Sequence, residues 1–336
     1  MRGANHRRVM VTSLGSGVGR AIQQTIRASK HRYVITGTSS AALKEQKETV
    51  YLCPPTADSS GFERALFEAV EQQRPHLLLP GRDEDSVALA THAPLLAQLG
   101  AQVVGGPEQM TRAALDKAAS RGLTPNLFVR TAGSPSEALA LARDVGWPLV
   151  IKPRIGFASR GVRLVSSEAA LIDQMGRDDI AQESLYLGDT LPNIRHGEHS
   201  VQVLLGRDSA LLGVFHSVNE LVAGRPTQVQ TLPSTGRVIN SLVAHLQELG
   251  GTGPWNFQGR RDETGHLRFF EVNARMTGIS GLRADLGFNE VDLLYEAFVL
   301  EEVTSDCRSY PLNLVLNSRP YTDFLTASPS DQRVRR

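Results

Sequence analysis

Phe269-Phe270-Glu271-Val272-Asn273-Ala274-Arg275 is the stretch that decides how this chain is read. Side chains on a strand alternate with a period of two. Glu271, Asn273 and Arg275 therefore share one face, while Val272 and Ala274 take the other. A carboxylate, an amide oxygen and a guanidinium in a row suit a metal-bound polyphosphate. Glu and Asn offer hard oxygen ligands to Mg²⁺, and Arg stabilises charge on a phosphoryl group in transfer. An edge strand with a solvated polar face is the plainer reading. The aromatic pair Phe269-Phe270 beside three polar residues argues against it.

Just upstream, Trp255-Asn256-Phe257-Gln258-Gly259-Arg260 alternates as well, with Trp255 and Phe257 as its apolar face. Arg261-Asp262-Glu263-Thr264-Gly265-His266 reads as the turn between the two strands. Closing this hairpin with Asp262 opposite Leu267 leaves a four-residue loop. It also sets Gln258 opposite Glu271 and Asn256 opposite Asn273, with opposed Cβ atoms about 5 Å apart. Gln258, Glu271 and Asn273 would then surround one cation. A slip of one residue would turn Gln258 to the other face.

The constellation resembles the ATP-grasp enzymes, and within them the carbamoyl-phosphate-synthetase-like carboxylate–amine ligases. There a Gln, then a Glu-x-Asn-x-Arg strand, carry metal and phosphates. The resemblance runs from about Asp116 to about Phe298 and more weakly back to the N-terminus. A Pro often precedes the Arg in this family; here it is Ala274. The resemblance implies Gln258, Glu271 and Asn273 as metal ligands and Arg275 and Lys152 as catalytic residues. It places Lys117 on the ATP phosphates, at the end of a helix expected over Glu108 to Arg121 and stopped by Gly122. Lys152 closes the strand Trp147-Pro148-Leu149-Val150-Ile151-Lys152-Pro153, where a point charge serves the α- and β-phosphates.

The loop Arg154 to Val162 resembles the family's glycine-rich lid. Ser159 and the amides of Arg160 and Gly161 are its expected phosphate donors, as in anion-binding nests. The loop has only Gly156 and Gly161, and Phe157 is bulky. Ile180 to Leu185 resembles the hinge strand that seats adenine, so Glu183, Ser184 and Leu185 are expected there. Glu198 matches the ribose position, although the segment before it, through Pro192 to His196, is longer than the family leads one to expect. His196 and His199, three apart without a third ligand, do not suggest a metal pair.

Strands and helices alternate in the first third of the chain. Arg8 to Thr12, Tyr33 to Gly37 and His76 to Pro80 read as strands. Arg20 to Ser29, Phe62 to Gln73 and Ser86 to Leu99 read as helices. The pattern implies a parallel sheet covered on both faces. The expected fold is therefore α/β: a Rossmann-like N-terminal domain (1–107), then an ATP-grasp domain (108–300). The latter combines an α+β lid subdomain near 123–185 with an antiparallel-sheet subdomain, and 301–336 forms a C-terminal segment. Gly15-x-Gly17-x-Gly19 opens the first helix without the G-x-G-x-x-G spacing, and no acid follows the second strand to hold a ribose. A tight turn is favoured over a dinucleotide site. Asp83, Glu84 and Asp85 follow the third strand at its carboxyl end, where open sheets bind ligands. They either hold a substrate amine or cap the next helix.

With 336 residues, 41% hydrophobic and 21% charged, the chain has ordinary globular composition. A net charge of +1 supplies no field for nucleic acid or membrane. No apolar run approaches the roughly 20 residues that span a bilayer. Cys53 and Cys307 give no disulfide framework, and a cytoplasmic location is the default. Arg333 to Arg336 reads as a frayed tail.

The expected activity is an ATP-dependent ligase that joins a small-molecule carboxylate to an amine through an acyl phosphate, forming an amide or peptide bond. ATP and Mg²⁺ are the expected cofactors, with Mn²⁺ as a substitute, and a homodimer is compatible. Three alternatives stay open: phosphorylation of bicarbonate or a small acid, an NAD-dependent oxidoreductase using the N-terminal Gly turn, and nucleotide binding without catalysis. Met276 to Arg283 follows the key strand and would offer backbone amides to a carboxylate. Arg283 reads as a surface residue with a second-carboxylate role as the alternative. His216, Arg225 and Arg237 flank the expected cleft without naming a substrate.

Overall fold

The apolar run Val9-Met10-Val11 has no polar alternate, which a strand requires only when both its faces are buried. The computed structural model describes residues 6–41, 43, 48–53, 59–124, 126–156, 161–175, 184–187, 197–222, 225–302, 310–317 and 326–327. Its first sheet holds β1 (Arg7–Val11), β2 (Tyr33–Ser39), β3 (Thr49–Leu52), β4 (Leu77–Leu79) and β5 (Gln102–Val103). All pairs are parallel, in the order β3-β2-β1-β4-β5, so the chain reverses direction across the sheet between β1 and β4. Helices α1 (Gly17–Arg27), α2 (Ser59–Gln73) and α3 (Asp83–Gln98) lie between the strands. Val9 and Val11 pack with Ile22 and Ile26 of α1, while Met10 packs on the other face with Leu66 and Val70 of α2 and Leu89 of α3. Ser16 caps α1 by accepting from the Gly19 amide at 2.9 Å.

The helix expected over Glu108 to Arg121 is shorter. α4 spans Glu108–Leu115, Asp116 is extended, and a separate 3₁₀ turn covers Ala119–Leu123. The cause is tertiary. Arg154 clamps the Asp116 carboxylate with two guanidinium donors, and its carbonyl accepts the Lys117 amide at 3.0 Å.

A four-stranded sheet follows in the order β6-β9-β7-β8. It consists of β6 (Thr131–Ala132), β7 (Leu149–Pro153), β8 (Arg163–Val165) and β9 (Ser184–Leu187). α5 (Pro135–Val145) buries Ala138 and Ala142 against Leu149 and Ile151, and Leu171 of α6 (Glu168–Met175) joins the same core.

The third sheet contains β10 (Glu198–Leu205), β11 (Leu211–Val222), β12 (Arg225–Leu232), β13 (Gly253–Arg261), β14 (Leu267–Asn273), β15 (Val315–Asn317) and β16 (Thr326–Ala327). They are antiparallel, in the order β14-β13-β10-β11-β12-β15-β16. On one face Val201, Val203, Trp255, Phe257, Phe269, Val272 and Ala274 pack on Ile239, Leu242 and Leu246 of α7 (Arg237–Glu248) and on Met110 of α4. On the other face Leu204 and Phe215 meet Phe288, Val291 and Leu294, along with Val11 and Ile22 of the first unit. That contact runs through α8 (Ser280–Asp285) and α9 (Glu290–Tyr295). The fit is close: a Cβ on Gly281 would lie 2.6 Å from Gln24 Oε1 of α1.

The β13–β14 hairpin closes with Arg261, not Asp262, opposite Leu267. The Asp262 side chain organises the turn by accepting the amides of Thr264 and His266. A β-bulge then makes up the difference. Gly259 pairs with Phe269 and Gln258 pairs with Glu271, leaving Phe270 as the extra residue. Asn256 falls opposite Asn273.

Phe257 is fully buried at the centre of the α7 face. Phe257→Ala should lower unfolding free energy by about 3–5 kcal/mol in urea denaturation. A loss below about 1 kcal/mol would contradict this packing.

Candidate active site

The bulge and the register leave one polar face on the third sheet. Its first row runs Glu271, Gln258, Ser200, Ser217 across β14, β13, β10 and β11, and its second runs Asn273, Asn256, Gln202. Polar side chains stand here because the opposite parity is already committed to α7. Asn256 is fully buried; its Nδ2 donates to Ser200 Oγ at 2.9 Å, and its Oδ1 has no partner among the described residues. One carboxylate and two neutral amide oxygens, from Glu271, Gln258 and Asn273, make a donor set that fits Mg²⁺ bound together with phosphate oxygens and water.

Phe270 brings Lys152 to this face. Lys152, 5% exposed at the end of β7, donates from Nζ to the Phe270 carbonyl at 3.1 Å. The ammonium also sits 4.9 Å from the Phe270 ring centre and 3.8 Å from Glu271 Oε2. Burial lowers the Lys152 pKa to about 8, against the attraction of Glu271. Leu185 of β9 pairs with Lys152 and Ser184 with Pro153. Glu198 lies at the head of β10, 8% exposed. Burial, then the nearby Glu271 carboxylate, raise it to about 7. Lys117 donates from Nζ to the Gly156 carbonyl at 2.8 Å, which ties the segment after α4 to the loop after β7. Gly161 sits at φ +71, and a Cβ there would be 2.9 Å from Pro153 Cγ, so both conformation and space favour glycine.

Arg275 lies just past β14. Its Nη2 donates to Asp83 Oδ2 at 2.5 Å and to Asn273 Oδ1 at 3.0 Å, and its Nη1 donates to the Met276 carbonyl at 3.1 Å. A solvent-open cleft is lined by Asp83, Glu84, Lys117, Gly156, Glu271 and Asn273 among others. Lys117, distant in sequence from Glu271 and Asn273, thus meets them there, with Lys152 and Arg275 in contact with its walls.

Ser159, Arg160 and Glu183 lie outside the described residues, as do the side chains of Ser184, Leu185 and Arg225. Asp83, Glu84 and Asp85 are not caps. The α3 N-cap is Arg82 and uses no side-chain bond. Asp83 pairs with Arg275, and buried Asp85 accepts from Thr12 Oγ1 at 2.7 Å. The surface placement of Arg283 is overturned. It is fully buried, bonded to Gln202 Oε1 at 2.9 Å and to Glu290 at 3.2 Å, because α8 packs inward against the polar face. His216 is buried too; its Nδ1 donates to the Pro233 carbonyl at 2.9 Å and its Nε2 lies 3.0 Å from His199 Nδ1. Arg237 is exposed at the start of α7. The Asp83 contact with Arg275 was not foreseen; only the carboxyl-end position of Asp83 hinted at it. Arg260, whose charge acts on Glu198, was missed without a signal.

Residues 111–286 match the family described as carbamoyl-phosphate synthase L chain, ATP binding domain. The chain belongs to this ATP-grasp family. Relatives of this ATP-grasp chain include the carbamoyl phosphate synthase large chains of two Thermus thermophilus strains. One is 23% identical and the other 29% identical, each over 312 residues, 84% of this chain. The ATP-grasp chain covers only 30% of the length of either relative. Among solved structures, the biotin carboxylase domain of Hydrogenobacter thermophilus 2-oxoglutarate carboxylase superposes with TM-score 0.69 at 16% identity, over 92% of this chain and 73% of that one. The N5-carboxyaminoimidazole synthetase of Staphylococcus aureus gives TM-score 0.69 at 16% identity, over 93% and 82%. No described helix is long and apolar enough to cross a membrane.

The raised Glu198 pKa carries a sign. Its folded value of about 7 exceeds the ordinary 4.5, so this group's contribution to stability is present below pH 4.5 and lost as pH rises through 7. Glu198→Gln removes that loss. Urea melts should show the variant gaining on the wild type between about pH 5 and pH 8; a pH-independent difference would contradict the burial of an ionising carboxylate.

Proposed function

We propose that this chain is an ATP-dependent carboxylate–amine ligase that forms an amide or peptide bond through an acyl phosphate. The observation that carries the reading is the convergence of Glu271, Gln258 and Asn273 on one sheet face with Lys152 and Arg275 beside them. A carboxylate oxygen attacks the γ-phosphorus of ATP, the bond to ADP breaks, and an acyl phosphate forms. The amine nitrogen then attacks the acyl carbon, phosphate leaves, and the nitrogen loses a proton. Phosphate is a good leaving group where oxide is not.

Both reacting partners of the first step are anionic. Lys117, Lys152 and Arg275, whose side chains are all largely shielded from water, neutralise them. Lys152 is held by a carbonyl and a ring, so little reorganisation is needed when phosphate charge arrives. ATP and Mg²⁺ are the cofactors of this reading. Gln258, Glu271 and Asn273 would hold the metal, which supplies charge neutralisation at the phosphates. Ser159, Arg160 and Gly161 would cover the phosphates, Glu183, Ser184 and Leu185 the adenine, and Glu198 the ribose. The domain plan is a Rossmann-like unit (1–107), an ATP-grasp domain (108–300) with a lid (123–185), and a C-terminal segment (301–336). A cytoplasmic homodimer is consistent with this reading.

A second reading, phosphorylation of bicarbonate, draws on two relatives: the Thermus thermophilus carbamoyl phosphate synthase chain and the 2-oxoglutarate carboxylase domain, whose structure is described with MgADP and bicarbonate. ADP release measured with bicarbonate alone, and with acids and amines in pairs, separates the two. ADP and phosphate released only with a paired acid and amine support the ligase; release with bicarbonate alone supports the second reading. In the same assay Glu271→Ala should cut turnover by about 10²-fold or more with an unchanged melting profile, and Lys152→Ala should raise the ATP concentration needed for half saturation. Wild-type turnover in Glu271→Ala would remove the metal assignment.

A further inference from the structure

We propose that Asp83 is a positioning residue for Arg275, through which the first sheet aims the guanidinium of the key strand. The inference rests on the ligase reading, in which Arg275 faces the phosphoryl group.

Arg275 has five N–H donors. Both Nη2 hydrogens are committed, to Asp83 and Asn273, and one Nη1 hydrogen goes to Met276. Among the described residues the buried Nε has no partner, so the Nε hydrogen and one Nη1 hydrogen are uncommitted. Asn273 and Met276 belong to the same stretch of chain as Arg275 and move with it. Asp83 alone among these partners comes from the unit of the first sheet, 192 residues away in sequence. The pair is well shielded, with side-chain exposure of 12% for Arg275 and 22% for Asp83.

The loop that delivers Asp83 is itself fixed. A Cβ on Gly81 would lie 2.1 Å from the Thr12 carbonyl, so the turn after β4 presses directly on the end of β1. Ser16 Oγ donates to the Gly81 carbonyl at 2.8 Å, and Thr12 Oγ1 donates to Asp85 Oδ2 at 2.7 Å. Asp83, at the first position of α3, thus presents its carboxylate from a turn braced against β1 and α1. A charge-assisted bond from a braced carboxylate fixes the direction of a planar guanidinium better than two local acceptors can.

The test measures calorimetric binding of MgADP, and of MgADP with aluminium fluoride as the phosphoryl mimic, to the full chain. The wild type should bind the mimic complex more tightly. Asp83→Ala and the near-isosteric Asp83→Asn should each lose about tenfold or more of that preference, with MgADP affinity held within about twofold. Adding Asp83→Ala to Arg275→Lys should cost nothing more, since both act on one contact. A merely structural role would weaken both ligands together. Full preference in Asp83→Ala, or additive losses with Arg275→Lys, would overturn the inference. Glu271→Ala separates the two levels. Preference lost there but kept in Asp83→Ala sinks this inference alone; preference kept in both variants, or absent in the wild type, sinks the phosphoryl-transfer reading and this inference with it.

Discussion

One extra residue in one strand governs the site. Phe270 is the unpaired residue of the β13–β14 bulge, and it does three things at once. It lets a five-residue turn and a polar row coexist on the same hairpin, because Leu267 and Phe269 face α7 before the bulge and Val272 and Ala274 face it afterwards. It sets Glu271 across from Gln258. It also offers its carbonyl and ring to Lys152 from β7 of the four-stranded sheet. Bulges beside functional sites commonly re-aim side chains, and this one joins two sheets at the point where charge is concentrated.

That concentration is costly without a ligand. Lys152 and Glu198 are both nearly buried, and burial pushes each toward its neutral form, to about 8 and about 7. Their partner Glu271 stabilises one charge and opposes the other. A site with its charges so poised gains most from a polyanion carrying a divalent cation, since the former answers the lysines and the latter the carboxylates. The ATP-grasp membership of the chain and this electrostatic layout point the same way.

Much of this was legible from residue order. The period-two pattern of Trp255 to Gln258 and of Glu271 to Ala274 defines which side chains share a face, and the structure keeps those faces, with the parity broken only at Phe270. The register at Gln258 and Glu271 came out as expected through two departures that cancel: the turn is one residue longer, and the bulge takes up one residue. No local rule distinguishes that outcome from a regular hairpin. Other features depend on partners distant in sequence. Asp116 leaves the helical path because Arg154 holds it, and Arg283 is interior because Gln202 and Glu290 surround it. Propensity reads Lys117 as helical and Arg283 as exposed, since it sees neither partner. Asp83 shows the same limit, for its role as partner to Arg275 exists only once two sheets are packed together.

The central claim is that two neighbouring strands place their oxygens around one metal–nucleotide complex. A crystal structure of the chain soaked with MgADP tests it most directly. The expected result is Mg²⁺ between Glu271, Gln258 and Asn273, with ligand distances of about 2.0–2.1 Å and phosphate oxygens completing the shell. A nucleotide bound at the Gly15 to Gly19 turn instead, or a metal with no contact to β13 or β14, would contradict it.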